Sequence, residues 1–248
     1  IWQSLRRKQS GSSMKDDIQK ELKGYSSKHK AKVLQRFFKT GKGEYGEGDL
    51  FLGISVSDIR KVCKKYFNSI SFKELDSFLR SEFHEYRLFA LLTLTYRCEK
   101  GDEGLRKEIF EYYLDNRKYI NNWDLVDTTA PKIVGEYIKN YGKGKAILDE
   151  LVMSDSLWDQ RIAVLSTFAF IRDGDFDTTL KFAKILFNHE HDLIHKAVGW
   201  MLREVGKRDV RVLREFLNKY YRKMPRTMLR YSIEKFDKDE RLRYLGRI

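Results

Sequence analysis

The stretch Asn121-Asn122-Trp123-Asp124-Leu125-Val126-Asp127-Thr128-Thr129-Ala130-Pro131-Lys132-Ile133-Val134-Gly135-Glu136-Tyr137-Ile138 reads as a helix. Asn121 or Asn122 can cap its start, and Asp124 falls in the first turn, where a negative charge suits the helix dipole. Val126, Ala130, Ile133, Val134 and Tyr137 recur at helical spacing and form a buried stripe. Trp123 and Asp127 are four residues apart and share a face. Asp127 projects at the edge of the apolar sector, where a carboxylate is costly without a partner or a task. Pro131 has no N–H, so the Asp127 carbonyl four residues earlier loses its usual donor; the helix is expected to kink or loosen there. Two readings stay open at this point: an acid bonded to a neighbouring basic residue, or an acid kept for chemistry.

Working outward, the chain repeats this unit. His84-Glu85-Tyr86-Arg87, Trp158-Asp159-Gln160-Arg161, Leu193-Ile194-His195-Lys196 and Thr227-Met228-Leu229-Arg230 each place a basic residue just ahead of, or inside, an apolar helical run. Taking Arg87, Asp124, Arg161, Lys196 and Arg230 as marks, the steps are 37, 37, 35 and 34 residues. Shorter amphipathic segments lie between them, at Asp102 to Leu114, Lys143 to Met153, Asp175 to Phe187 and Asp209 to Tyr220. A period in the mid-thirties built of two helices predicts an all-α chain, an α-solenoid of HEAT-like repeats. Equivalent positions of successive repeats then form rows. Arg87, Arg161, Lys196 and Arg230 are expected to make a basic row on a concave groove, with Arg203 and Arg226 adding charge nearby. Against this stands the plainer reading of each as a solubilising surface charge.

Composition narrows the partners. Lys+Arg number 49 against 36 Asp+Glu, a formal net charge of +13, which favours a polyanion. Nucleic acid is expected ahead of an anionic membrane, because the charge is spread along the chain and not gathered on one amphipathic helix. No apolar run reaches the ~18 residues a membrane span needs. Cys63 and Cys98 are the two cysteines; they form no disulfide framework and no Cys-x-x-Cys spacing, so reduced thiols and a cytoplasmic location are expected. Residues 1–13 read as a tag or linker ahead of Met14, leaving 14–248 as one domain.

Nearer the start, helix is expected from Asp16 to about Lys39 with a break at Gly24-Tyr25-Ser26-Ser27. A Gly-rich mobile loop then runs from Thr40 to Asp49, with Lys42 and Tyr45 on its edge. Ser55 or Ser57 and then Ser71 are expected helix caps. The Thr40–Asp49 loop lacks the Gly-Lys-Ser/Thr ending of a phosphate-binding loop. No Gly-x-Gly-x-x-Gly run or nucleophile elbow occurs, so no cofactor is expected. His189, His191 and His195 cluster, but without a His-Glu-x-x-His pattern or a further ligand in phase; no metal is expected. Gly135, Gly142 and Gly144 read as helix ends. Trp158 reads as a core residue, while Trp200, four residues after Lys196, reads equally as core or as a stacking surface.

Asn-Trp-Asp-Leu-Val-Asp at 122–127, Leu-Trp-Asp-Gln-Arg at 157–161 and Lys-Ala-Val-Gly-Trp-Met-Leu-Arg-Glu at 196–204 resemble the AlkD-type DNA alkylation repair glycosylases, a family of HEAT-like repeat proteins. The resemblance implies a monofunctional glycosylase that removes positively charged N3- and N7-alkylated purines from double-stranded DNA. It implies Asp127 as the catalytic acid, Trp123 and Trp200 as active-site tryptophans, and Arg161 as a phosphate contact. It also implies an open cleft that works without a tight base pocket. Near the N-terminus it covers only Phe51-Leu52-Gly53-Ile54, and no residue role is carried over there. A non-catalytic DNA-binding scaffold and a solenoid that meets an acidic protein are the competing readings. A monomer is the expected state.

Overall fold

The computed structural model describes residues 13–246, so all of the expected tag at 1–13 except Ser13 lies outside the described residues. Ser13 belongs to the fold, because its hydroxyl caps helix α1 (Met14–Gly24) and Asp16 returns the bond to its backbone N–H. The chain divides into two compact units, Ile1–Arg97 and Cys98–Ile248. Repeat proteins make most contacts between neighbours, so the single domain expected over 14–248 is retained as a proposal. Among the described residues the only β pairing is a single bridge between Leu50 and Phe83; the rest is helix and turn. The all-α helical-repeat fold read from the sequence is therefore the fold of the chain.

In the first unit, α1 is followed by α2 (Lys28–Phe37), α3 (Val56–Tyr66), α4 (Phe72–Leu79) and α5 (His84–Lys100), the last running across the division. Ser27, Ser55 and Ser71 cap α2, α3 and α4, each accepting from the backbone N–H three residues on. The loop expected to be mobile is a set of turns stapled by carboxylates: Glu44 accepts from the Gly41 N–H and Glu47 from the Gly43 N–H, both at 2.8 Å. Its end is anchored to α5. Asp49 pairs with Arg87 at 2.6 Å, and buried Glu85 accepts from the N–H groups of Leu52, Gly53 and Ile54. Gly53 is required there. Its φ is +78°, and an added Cβ would drive into the Ser27 carbonyl oxygen.

The second unit holds α6 (Glu103–Asp115), α7 (Trp123–Ala130), α8 (Glu136–Tyr141), α9 (Lys145–Val152), α10 (Leu157–Ser166), α11 (Phe168–Arg172), α12 (Asp177–Ile185), α13 (Asp192–Arg208), α14 (Val210–Tyr220), α15 (Arg226–Ser232) and α16 (Lys238–Tyr244). Val126, Ala130, Ile133 and Val134 are buried, as the helical stripe predicted, and Tyr137 nearly so. Between α7 and α8 the chain makes a π-helical turn, Pro131–Gly135. This is the loosening that the missing Pro131 N–H predicted. Side-chain donors approach the carbonyls at the bulge: Ser166 Oγ, bonded to Ile162 O at 2.7 Å, also lies 3.4 Å from Ala130 O, and Cys98 Sγ lies 3.9 Å from Lys132 O. Gly135 is not a helix end, contrary to the sequence reading. It lies inside the π turn against α10, where a Cβ would collide with the Ser166 carbonyl oxygen. Gly142 does end α8, at φ +63°, and Gly144 opens α9 at φ +89°.

Candidate active site

The site is built on the first two turns of α7. Buried Asn122 caps the helix, its Oδ1 accepting from the Trp123 N–H at 2.8 Å and its carbonyl accepting from Val126 N–H at 3.2 Å. Asp124 Oδ1 takes the Leu125 N–H at 2.8 Å. Behind them the buried Tyr113 hydroxyl meets Thr129 Oγ1 at 2.9 Å, and Thr129 bonds back to the Leu125 carbonyl at 2.5 Å. These bonds fix the helix start, so Trp123 and Asp127 emerge one turn apart from a rigid element. Trp123 is half-buried.

Asp127 has a partner. Arg161, from α10, donates Nε to Oδ1 at 2.7 Å and Nη2 to Oδ2 at 2.8 Å, a bidentate pair. Its Nη1 donates to the Leu193 carbonyl, in the first turn of α13. Three helices therefore converge on one guanidinium. The Arg161 side chain is 5% exposed and that of Asp127 is 15% exposed, so the acid is mostly buried but its side chain is not sealed off. Burial pushes the Asp127 carboxyl above its ordinary value of 3.8; Arg161 opposes that rise and Asp124 adds to it. The acid-with-a-basic-neighbour reading is thus correct in its geometry. It does not exhaust the arginine: a guanidinium carries five N–H groups and three are engaged, leaving one on each terminal nitrogen.

Trp200 lies two turns beyond Leu193 on α13 and is half-buried. Its indole N–H donates to Glu204 Oε1 at 3.1 Å, and Lys207 holds the same carboxylate at 2.7 Å. Gly199 lets α15 press against this helix, because an added Cβ would sit 2.5 Å from Tyr231 Cβ and 2.6 Å from the Met228 carbonyl oxygen. The Trp200 indole N–H is thus held by Glu204, on a helix that Gly199 packs closely against α15. Trp158 corrects the core reading. It is half-buried and lines a surface cavity of about 400 Å³ with Arg117 and Lys118.

The cationic row expected from the repeat separates into two kinds of residue. Arg87 is corrected from a DNA contact to a core ion pair: its side chain is 5% exposed, bonded to Asp49 and to the Ser81 and Glu82 carbonyls. Arg161 is buried in the same manner. The later residues are more accessible: Arg226 and Arg230 are exposed, Lys196 and Arg203 partly so. Lys196 pairs with Asp192 at 2.7 Å and is 40% exposed, and Arg203 bonds Glu234. Arg226 donates to the Leu245 carbonyl at 2.9 Å. Exposed Arg230 lines a cavity of about 410 Å³ with Lys196, Thr227, Tyr231 and Arg241. The three histidines bond to the backbone of their own turn. No group of three metal-ligating side chains occurs among the described residues, and no helix there is long and apolar enough to cross a membrane. The Leu193 carbonyl and Glu204 escaped the sequence reading. A backbone acceptor leaves no sequence signal, although Glu204 four residues after Trp200 was visible as a helical pair.

The all-helical repeat scaffold that carries this site has counterparts among known proteins. A family model for DNA alkylation repair enzymes matches residues 18–236, and the chain belongs to that family. Among curated proteins none matches. The chain is similar in fold to the solved structure of a predicted DNA alkylation repair enzyme from Enterococcus faecalis. The TM-score is 0.68 at 16% identity, covering 86% of this chain and 97% of that one. The family assigns a role in the repair of alkylated DNA.

Proposed function

We propose that the protein is a monofunctional DNA glycosylase that hydrolyses the N-glycosidic bond of cationic N3- and N7-alkylated purines in duplex DNA. A purine alkylated at these positions carries a positive charge and departs as a neutral molecule. Its departure needs little acid assistance. The sugar left behind becomes oxocarbenium-like and needs a nearby negative charge. One carboxylate meets that need, and Asp127 is the one on α7 held at both oxygens yet not fully buried.

The observation that carries the reading is the bidentate Arg161–Asp127 pair. Arg161 opposes the push of burial on the carboxyl and fixes its plane. A unit charge pair at ~4 Å and an effective dielectric of ~20 is worth about 4 kcal/mol, roughly a thousandfold in rate. The arginine tempers the first figure, since it shares the charge. The same carboxylate can orient or deprotonate the attacking water. Trp123 and Trp200 supply ring faces for a cationic sugar and exclude water from it. Arg161, as buried as Arg87, serves the carboxylate, and Lys196, Arg203, Arg226 and Arg230 supply the phosphate contacts on the same unit. The protein acts as a monomer and needs neither metal nor cofactor.

The test is direct. Excess enzyme is incubated with a duplex carrying a single 7-methylguanine, and free base and abasic sites are quantified beside an unmodified duplex. Release from the alkylated strand alone is expected. Binding that weakens steeply with salt but yields no free base would leave a DNA-binding scaffold, and no affinity at low salt would favour an acidic protein partner.

A further inference from the structure

Three histidines crowd the turn that opens α13. His189 Nδ1 accepts the His191 N–H at 3.0 Å, and His191 Nδ1 accepts the Leu193 N–H at 3.1 Å. His195 Nε2 bonds the His189 carbonyl oxygen and so is the donor. Histidine replaces the Ser, Thr, Asp or Asn that commonly caps a helix, and makes the same kind of bond with a group that titrates. An imidazolium has an N–H on both nitrogens and can accept nothing. Both caps therefore require neutral rings. His189 holds the His191 backbone and His191 holds Leu193, whose carbonyl receives Arg161 Nη1, and Arg161 grips both oxygens of Asp127.

We propose that His189 and His191 are positioning residues for the Asp127 carboxylate: as neutral caps they hold the 189–193 turn, which seats Arg161 through the Leu193 carbonyl. The proposal rests on the reading of Asp127 as the catalytic group. Protonating either ring sets N–H against N–H and opens the turn. Arg161 then loses its third anchor and the carboxylate loses its fixed plane. Charged groups face the turn from three elements. Glu190, between the two caps, favours protonation, and His195 opposes it. Asp192 follows on α13, held by Lys196 from the same helix and by Thr227 from α15. Arg161 arrives from α10. Burial, with the two neighbouring imidazoles, holds His189 below the ordinary histidine value of 6.5. The folded state thus prefers the neutral ring. Its contribution is complete above the unfolded value and is lost as pH falls through the lowered one.

Single-turnover release of 7-methylguanine, measured from about pH 5 to about pH 8 for wild type, H191A, H191N and H189N/H191N, tests this. An asparagine side chain can accept from the N–H two residues on and does not titrate in this range. At neutral pH H191A is expected to lose about tenfold or more in rate, from misplacement of the carboxylate, with duplex affinity little changed. H191N restores the rate. H189N/H191N keeps activity to lower pH than wild type, leaving only the fall that belongs to Asp127. If H191A melts below the assay temperature, the comparison of wild type with H189N/H191N carries the test alone. An H191A rate equal to wild type, or an acid-side fall unchanged in H189N/H191N, overturns the positioning role while leaving the glycosylase reading intact. A wild type that releases no base sinks both.

Discussion

Arg161 and Asp127, 34 residues apart in sequence, form a two-point ion pair with contacts of 2.7 and 2.8 Å. The first unit repeats the device between Arg87 and Asp49, at 2.6 Å. The shared chemistry is a buried guanidinium that ties a carboxylate from an earlier segment to the helix carrying the arginine. The difference is access: Asp49 is 4% exposed and Asp127 is 15% exposed at the side chain. One pair is closed and the other is not sealed off.

Removing the arginine leaves a buried carboxylate uncompensated. Arg161→Ala is expected to lower unfolding stability by about 3 kcal/mol, read by urea titration. Arg161→Lys keeps a charge but not the planar fork, so it recovers part of the stability and little of the base-release rate. Equal activity in Arg161→Lys and wild type would show that two-point geometry is irrelevant.

Acid pH reports on Asp127. Its carboxyl lies above the ordinary 3.8 because burial disfavours the charge. For stability, the folded state binds this proton more tightly than the unfolded chain. The group's stabilising contribution is therefore full below the unfolded value and is lost as pH rises through the folded one. For activity the sign is opposite, since the ionised form stabilises the sugar cation. The rate in the H189N/H191N background is expected to fall on the acid side with a midpoint above 3.8. A midpoint at or below that value would contradict the burial argument.

Gly135 permits a close approach and not an unusual backbone, its φ being −60°. Gly135→Ala places a methyl group against the Ser166 carbonyl and 3.0 Å from Ala169 Cβ. Overpacking of this kind costs about 2 kcal/mol. Since α10 also carries Arg161, thermal melts should show the destabilisation and base release should fall with it. A Tm unchanged from wild type would mean that α10 yields without strain.

Glu204 orients Trp200 through the 3.1 Å bond from the indole N–H. Glu204→Ala is expected to slow base release by about threefold to tenfold, at ~1 kcal/mol for one hydrogen bond. Glu204→Gln retains an acceptor and should recover most of the loss. Parallel behaviour of the two variants would detach the ring from this contact.

Local physics made much of the fold legible. Ser55, Ser71 and Asp102 mark helix starts by bonds that span three residues, so reading them needs no tertiary knowledge. Pro131 announced the π turn for the same reason: the lost N–H is a covalent fact. What lay hidden depends on contacts across the chain. A basic residue ahead of an apolar run reads alike whether it meets phosphate or a buried carboxylate, so the sequence does not separate Arg87, which lies in the core, from Arg230, which is exposed. Gly135 looked like a helix end because its neighbour, Ser166, is distant in sequence. Asp127 and Trp123 were legible as a pair on one helix face; the Leu193 carbonyl that completes the seat of Arg161 was not.

The central claim is that one held carboxylate drives the loss of the base, and Asp127→Asn addresses it most directly. The substitution keeps size and shape and removes the charge. With enzyme in excess over a 7-methylguanine duplex, the variant is expected to bind DNA as tightly as wild type and to release base roughly a hundredfold to a thousandfold more slowly. Release at the wild-type rate by Asp127→Asn would contradict the account.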